Sequence, residues 1–368
     1  MLSRYKARHI VMWELIILLI FSSVLIKQGI DQESAMYTSM YDTEKKFIKW
    51  VSFDVSQNAL DRAYRYDIET KDSEVHLNWI QLLAYLGARY GGDFSRYREK
   101  HMNEVANKLI SKEATIDDVT KDMKYYDYYL EAYSAVLDGM VGEYRIEVKD
   151  DSVPGGKRWE EKYGLKAFLP IAKYYPYSHF DDFGASRSYG FKRKHLGHDM
   201  MGQVGTPIIA VESGYIEALG WNQYGGWRIG IRSFDKKRYY YYAHLRQNFP
   251  YNKSLEIGSV VQAGDVIGYL GRTGYSSNEN ANNIRTPHLH FGMQLIFDES
   301  QKDSVNEIWI DCYDLILFLY KNRSETVKNS ETKEYHRIYQ FVDPVAEDYI
   351  NHRIYKYNDE DIGIHIYE

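Results

Sequence analysis

The stretch RTPHLHFGMQL, residues 285–295, places two histidines one residue apart, directly after a proline and inside an apolar run. Successive side chains on a strand point to opposite faces. Leu289, Phe291, Met293 and Leu295 therefore share one face, and His288, His290, Gly292 and Gln294 share the other. The first face is suited to packing. The second presents imidazoles, with Gly292 leaving room beside them.

The surrounding sequence has the same texture. GTPIIAVESGYIEALGW, GGWRIGIRSF, KRYYYYAHL and IGSVVQAGDVIGYLGRTG are short runs of β-formers separated by glycine turns. Such close spacing predicts an antiparallel all-β domain, a sandwich or barrel, over residues 179–300.

The 368 residues are 44% hydrophobic and 27% charged, a globular composition long enough for about two domains. The formal net charge is -6, and FKRK is the longest Lys/Arg cluster, so no nucleic-acid partner is expected. A single cysteine, Cys312, excludes an internal disulfide and a thiolate zinc cluster, and reads as a small core residue. The 36 tyrosines point to half-wet strands or a polar, sugar-like or peptide-like surface.

Ahead of the β-domain lie three different textures. MLSRYKARH is cationic and precedes IVMWELIILLIFSSVLI, which Glu14 alone interrupts. About 17 apolar residues at roughly 1.5 Å each approach the roughly 30 Å hydrocarbon core of a bilayer. The cationic flank favours an inside N-terminus. Residues 1–8 are thus expected as a cytoplasmic tail and 9–30 as an uncleaved transmembrane helix, with a cleaved secretory signal as the rival reading, and the remainder on the extracytoplasmic side. Residues 31–150 read as an α-helical spacer or interaction domain, open to an envelope protein partner, with His76 and His101 as helix-face or core residues and Thr115 as an N-cap. Residues 151–178, containing Pro154, Gly155 and Gly156, read as a linker. Residues 301–368 read as one apolar helix, SVNEIWIDCYDLILFLYKN, followed by a charged, tyrosine-rich tail without an assignable role.

A second histidine signal is KHLGHDMMGQVGTPI, in which three residues separate His195 from Asp199. The pair shares a face on either a strand or a helix. On a strand Gly197 falls between them and removes a side chain that would obstruct a metal, whereas His198 points away and reads as structural. Two imidazoles and one carboxylate with an open fourth position make a catalytic zinc site. H-x-x-x-D together with H-x-H in one β-domain points to such a site. Tyr240, Tyr242 and His244 would share a strand face, which could carry His244 to the same cleft.

HLGHD, GTPIIAVESGYI, YYAHL, GSVVQAGDVIGYLGRTG and PHLHF occur in an order and spacing that resemble the lysostaphin and LytM-type zinc endopeptidases of bacterial peptidoglycan, and FDDFGASRSYGFKRKH resembles their entry strand. The resemblance implies a LytM-like peptidase domain that binds one zinc ion per chain and cuts peptide cross-links at the cell wall, on the extracytoplasmic side of a bacterial membrane. It makes His195, Asp199 and His290 the zinc ligands, His288 the base that takes a proton from the activated water, and His244 the group that holds the charged tetrahedral intermediate. The loop YSSNENANNIRTPHLHF is longer than the family's usual one, and Gly292 stands where an acidic residue is common. Both departures bear on cross-link preference and leave the ligands intact.

Two other readings are open. A non-catalytic LytM-like scaffold in an envelope or sporulation complex would usually have lost a ligand or the base, and none is missing. VVQAGDVIGYLG resembles the turn region of lipoyl or biotinyl carriers, but it contains no lysine for attachment.

Overall fold

The computed structural model describes residues 41–42, 47–188, 192–302 and 304–362. The expected cytoplasmic tail and transmembrane helix lie outside the described residues; among these, no helix is long and apolar enough to cross a membrane. Contacts divide the chain into two compact units, Met1–Val51 with Phe297–Asn306, and Ser52–Ile296 with Glu307–Glu368. In the first, β1 (Tyr41–Asp42) pairs antiparallel with β2 (Phe47–Ile48). There the Gln301 amide donates to the Ile48 carbonyl at 2.7 Å while accepting from the Phe297 N–H at 2.8 Å.

The second unit begins with helices α1 (Gln57–Thr70), α2 (Trp79–Tyr90), α3 (Glu99–Ile110), α4 (Ile116–Thr120) and α5 (Tyr126–Leu137). Asn78 caps α2 by accepting from the Ile80 and Gln81 N–H groups, and Thr115 caps α4 in a capping box with Asp118, as the sequence predicts. Helices α2 and α5 meet closely because Gly87 has no side chain: a Cβ there would stand 2.9 Å from the Tyr133 ring. His76 pairs with Asp67 at 3.0 Å and His101 with the Tyr90 hydroxyl at 2.8 Å, both as structural partners.

Helix gives way to strand before residue 150. β3 (Val141–Lys149) pairs antiparallel with β4 (Lys157–Leu165) along its whole length. The stretch expected as a linker is therefore largely a hairpin and its continuation. Gly155 at φ 88° and Gly156 at φ 69° turn the chain back on itself.

The small hairpin β5 (Ser186–Ser188) and β6 (Lys192–Lys194) leads into β7 (His198–Met201), followed by β8 (Pro207–Ile209), β9 (Gly214–Asn222), β10 (Gly226–Ser233), β11 (Arg238–Ala243), β12 (Val260–Val261), β13 (Val266–Tyr269), β14 (His288–Leu295) and β15 (Ile308–Trp309). Seven of these form one antiparallel sheet in the order β12-β9-β10-β11-β14-β15, with β7 also paired to β14. The antiparallel β-domain is as expected. Along β14, Leu289, Phe291, Met293 and Leu295 are all fully buried as expected, while the opposite face is half-buried at His288 and His290 and becomes buried as well at Gly292 and Gln294.

A buried ionic cluster joins the helices to the sheet. Arg238 on β11 makes a bidentate pair with Glu212 at 2.8 and 3.1 Å and donates to the Ala135 carbonyl on α5 at 3.0 Å. The Tyr240 hydroxyl donates to the same Glu212 carboxylate at 2.5 Å.

The tail is structured as well. The expected apolar helix is confined to α6 (Tyr313–Leu319), because Ile308 and Trp309 join the sheet instead. β16 (Thr326–Lys328) pairs with β17 (Tyr335–Arg337), β18 (Phe341–Val342) adds to β3, and α7 (Pro344–Ile362) follows. Phe341 packs with Phe168, Ile209 and Val266 in the core, and Lys166 pairs with Asp343 at 2.9 Å in the interior. Cys312 is a buried free thiol, as its reading as a core residue requires.

Candidate metal centre

Pairing between β7 and β14 sets Asp199 directly opposite His290. Residues opposite one another on an antiparallel pair lie on the same face with Cβ atoms about 4.5–5.5 Å apart. His195 arrives differently from the strand expectation. It lies in the connection between β6 and β7, where its N–H bonds to the Ala185 carbonyl and its own carbonyl accepts from Gly184. The three side chains nevertheless converge: His195 Nε2 is 3.1 Å from Asp199 Oδ1 and 3.1 Å from His290 Nδ1, and His290 Nδ1 is 2.9 Å from Asp199 Oδ1.

These distances fit a metal. Ligand atoms about 2.0–2.2 Å from a tetrahedral zinc stand roughly 3.3 Å from one another. Two imidazole nitrogens and a carboxylate oxygen form a near-equilateral triangle of that size, and among the described residues it is the one such group of possible ligands. Burial opposes ionisation of Asp199, yet hydrogen bonds from His195 and His290 hold its carboxyl far below the usual range. Burial also pulls His195 down, but Asp199 and Asp182 outweigh it and leave the ring above its ordinary value. For His290 burial prevails over Asp199, and the ring is held neutral more readily, as a metal ligand must be.

Gly197 is needed here for a sharper reason than free space near an ion. A Cβ on it would come within 2.5 Å of His290 Cε1 and 2.8 Å of the Phe291 carbonyl oxygen. Gly292, by contrast, makes room for an indole and not for the imidazoles, since its Cβ would stand 2.7 Å from Trp309 Cζ3.

His288 and His244 lie at the edge of this triangle. His288 Nδ1 is 2.8 Å from the Thr286 carbonyl oxygen, which can only accept; the neutral ring thus keeps its lone pair on Nε2, 3.7 Å from Asp199 Oδ1. His244 does not reach the cleft by strand alternation. Tyr240 and Tyr242 are paired with Met293 and Phe291 on the packed side. The strand ends at Ala243, and His244 turns at φ 60° so that its ring meets those of His288 at 4.8 Å and His290 at 5.8 Å. Its Nδ1 donates to the Thr273 carbonyl at 2.9 Å, while burial and then His288 and His290 hold the ring well below its ordinary value. His198 points away as predicted. It is buried, pairs with His179 at 2.8 Å, and is pushed down to about 3, first by burial and then by His179.

The triangle opens into a cleft of about 490 Å³. Its walls include Arg187, Arg193, Tyr241, Tyr275, Glu307 and Trp309, none of which the sequence singled out. Tyr241 could have been found by register, because it stands two pairs from His290 on the same face, with ring centroids 6.0 Å apart. Asp182 was also missed: its Oδ1 is 3.1 Å from His195 Nδ1, on the side of the ring away from the ligand triangle, and Arg187 pairs with the same carboxylate.

Residues 193–306 match the model of peptidase family M23. Over 131 residues the chain is 40% identical to the L-Ala--D-Glu endopeptidase of Bacillus subtilis (strain 168), covering 35% of this chain and 38% of that protein. Over 98 residues it is 40% identical to lysostaphin of Staphylococcus simulans, covering 26% of this chain and 17% of that protein. The solved catalytic domain of lysostaphin from Staphylococcus simulans is 31% identical, with 38% of this chain and 92% of that chain covered at a TM-score of 0.29. The chain thus spans well under half the length of the curated relatives it matches. Residues 193–306, which hold Asp199 and all three cleft histidines beside it as well as His195, thus carry a domain of peptidase family M23.

Proposed function

We propose that this chain is a zinc-dependent endopeptidase that hydrolyses peptide bonds of bacterial peptidoglycan. The observation that carries the reading is the triangle of His195, Asp199 and His290 donor atoms with the free Nε2 of His288 at its edge. His195, Asp199 and His290 would hold the ion. Zinc bound there supplies Lewis-acid activation of water and of the scissile carbonyl.

The other roles fall to the chain's own groups. His288, fixed by Thr286 through Nδ1, presents a lone pair toward the ligand triangle and acts as general base. His244, fixed by Thr273 in the same way, is neutral with an accepting Nε2. Beside the His288 ring it would help to hold a developing oxyanion only in its protonated form, and the proton that His288 takes up goes to the leaving amine. Tyr241 and Trp309 line the cleft beside these groups. The relatives whose names give an activity are peptidoglycan or glycyl-glycine endopeptidases and an L-Ala--D-Glu endopeptidase, which supports the substrate class.

The cationic flank and apolar run of residues 1–30 support anchoring in the cytoplasmic membrane with the site on the extracytoplasmic side, and the helical region after them is a candidate surface for an envelope partner. The test is direct. Full-length protein is assayed for bound zinc and for release of amino groups from purified peptidoglycan. His288→Ala is expected to retain zinc and lose cleavage, and His290→Ala to lose zinc. Metal-free, inert wild-type protein would favour the scaffold reading; zinc content unchanged in His290→Ala would refute the ligand set.

A further inference from the structure

We propose that the β5–β6 hairpin wall is an anion subsite, and that Arg193 selects peptide substrates carrying a free carboxylate on the residue next to the scissile bond. The inference rests on the endopeptidase reading and specifies its substrate. It begins with FKRK, the basic cluster too short to indicate nucleic acid, whose Arg193 and Lys194 line the cleft.

In the β5–β6 hairpin Arg187 stands directly opposite Arg193. Like charges directly opposite one another destabilise a strand pair. Arg187 is relieved by Asp182. Arg193 has no carboxylate partner among the described residues: its Nη2 donates to the Tyr275 hydroxyl, its guanidinium lies 5.0 Å from the Tyr275 ring centroid, and its Nε is buried without a hydrogen-bond partner. Lys194 adds a third cation to the same wall. The acids lining the cleft do not meet this need, since Asp199 is engaged by histidines and Glu307 accepts from Trp309 Nε1 at 2.8 Å.

A planar guanidinium held over an aromatic ring with a donor to spare fits a carboxylate fork. Arg193 is two residues from His195 along an extended segment. At about 3.3 Å per residue that is roughly 7 Å, the reach of one residue of an extended peptide lying across the ligand triangle together with the length of the side chain it carries. A substrate carboxylate at Arg193 therefore belongs to the residue flanking the bond being cut, and a bridge made of glycine alone offers none.

The experiment uses full-length, zinc-loaded protein and two soluble peptides of matched configuration that differ only in glutamate or glutamine beside the scissile bond. Wild type is expected to favour the glutamate peptide about tenfold or more in kcat/KM, as for a charged hydrogen bond. The preference should fall toward one in Arg193→Gln, be partly retained in Arg193→Lys, and shrink with added salt because the wall is solvent-facing. Equal rates on the two peptides, or a preference that survives Arg193→Gln, overturns the proposal. Zinc content and melting temperature verify that the variant is folded; if it is not, the lysine variant and the salt series decide. If neither peptide is cut, calorimetric binding separates the two ideas. Tighter binding of the glutamate peptide that Arg193→Gln abolishes keeps the subsite and removes the hydrolase, whereas equal binding removes the subsite.

Discussion

Replacing Asp182 with alanine should weaken zinc binding without touching a ligand. His195 presents Nε2 to Asp199 and His290, and its other nitrogen is 3.1 Å from Asp182 Oδ1 and 3.4 Å from the Asp182 carbonyl oxygen. Asp182 Oδ1 is buried and makes no hydrogen bond, so it acts on the ring through its charge. A carboxylate behind a ligating imidazole fixes its tautomer and orientation and raises its basicity. Unit charges 3.1 Å apart attract by about 5 kcal/mol at an effective dielectric of about 20. Arg187, which shares the carboxylate, and the cost of burying it offset the larger part. About 1.4–2.8 kcal/mol remains, a ten- to hundredfold loss of zinc affinity. Competition against a chromophoric chelator reads this directly on the purified full chain. Asp182→Asn, which keeps an acceptor and loses the charge, should fall between wild type and alanine. Zinc affinity of Asp182→Ala within twofold of wild type, in a variant that melts normally, would show that the backbone carbonyl alone orients His195 and that the carboxylate has no part in it.

Gly197→Ala should displace His290 and cost at least tenfold in zinc affinity, because its methyl would need space 2.5 Å from Cε1 and 2.8 Å from a backbone oxygen; normal zinc binding in this variant would refute the steric account. Arg238→Met removes the partner of a buried carboxylate and should destabilise the protein by about 3–5 kcal/mol in denaturant unfolding, and a change under 1 kcal/mol would mean that Glu212 is satisfied by Tyr240 alone. Burial and then Asp181 raise the Asp311 carboxyl to about 6. Since the folded value is raised, the stabilising contribution is present below the unfolded value of about 3.9 and is lost as pH rises through about 6. Asp311→Asn should consequently flatten the melting temperature between pH 4 and 6 and raise it at pH 7; an unchanged pH profile would contradict the shared-proton contact with Asp181.

The sequence by itself determined the local devices. Alternation along 288–295 named the buried face residue by residue, the glycine-punctuated runs marked an antiparallel domain, Thr115 marked a cap, and the spacing of His195, Asp199, His288 and His290 marked the ligand chemistry. Each of these rests on a period or a contact within a few residues, which is what a linear pattern can express. Only the tertiary structure decided the rest. His244 enters the cleft through a left-handed turn that strand alternation does not foresee, Gly292 yields to an indole from β15, and the charged tail folds back through Phe341 and Asp343 onto residues more than a hundred positions earlier. Asp182, Arg187 and Arg193 acquire meaning only when a hairpin turns them toward the ligand triangle. Their charges are unremarkable along the chain, and it is the pairing register and the low-dielectric neighbourhood, both set by distant segments, that leave one cation neutralised and the other without a counter-charge.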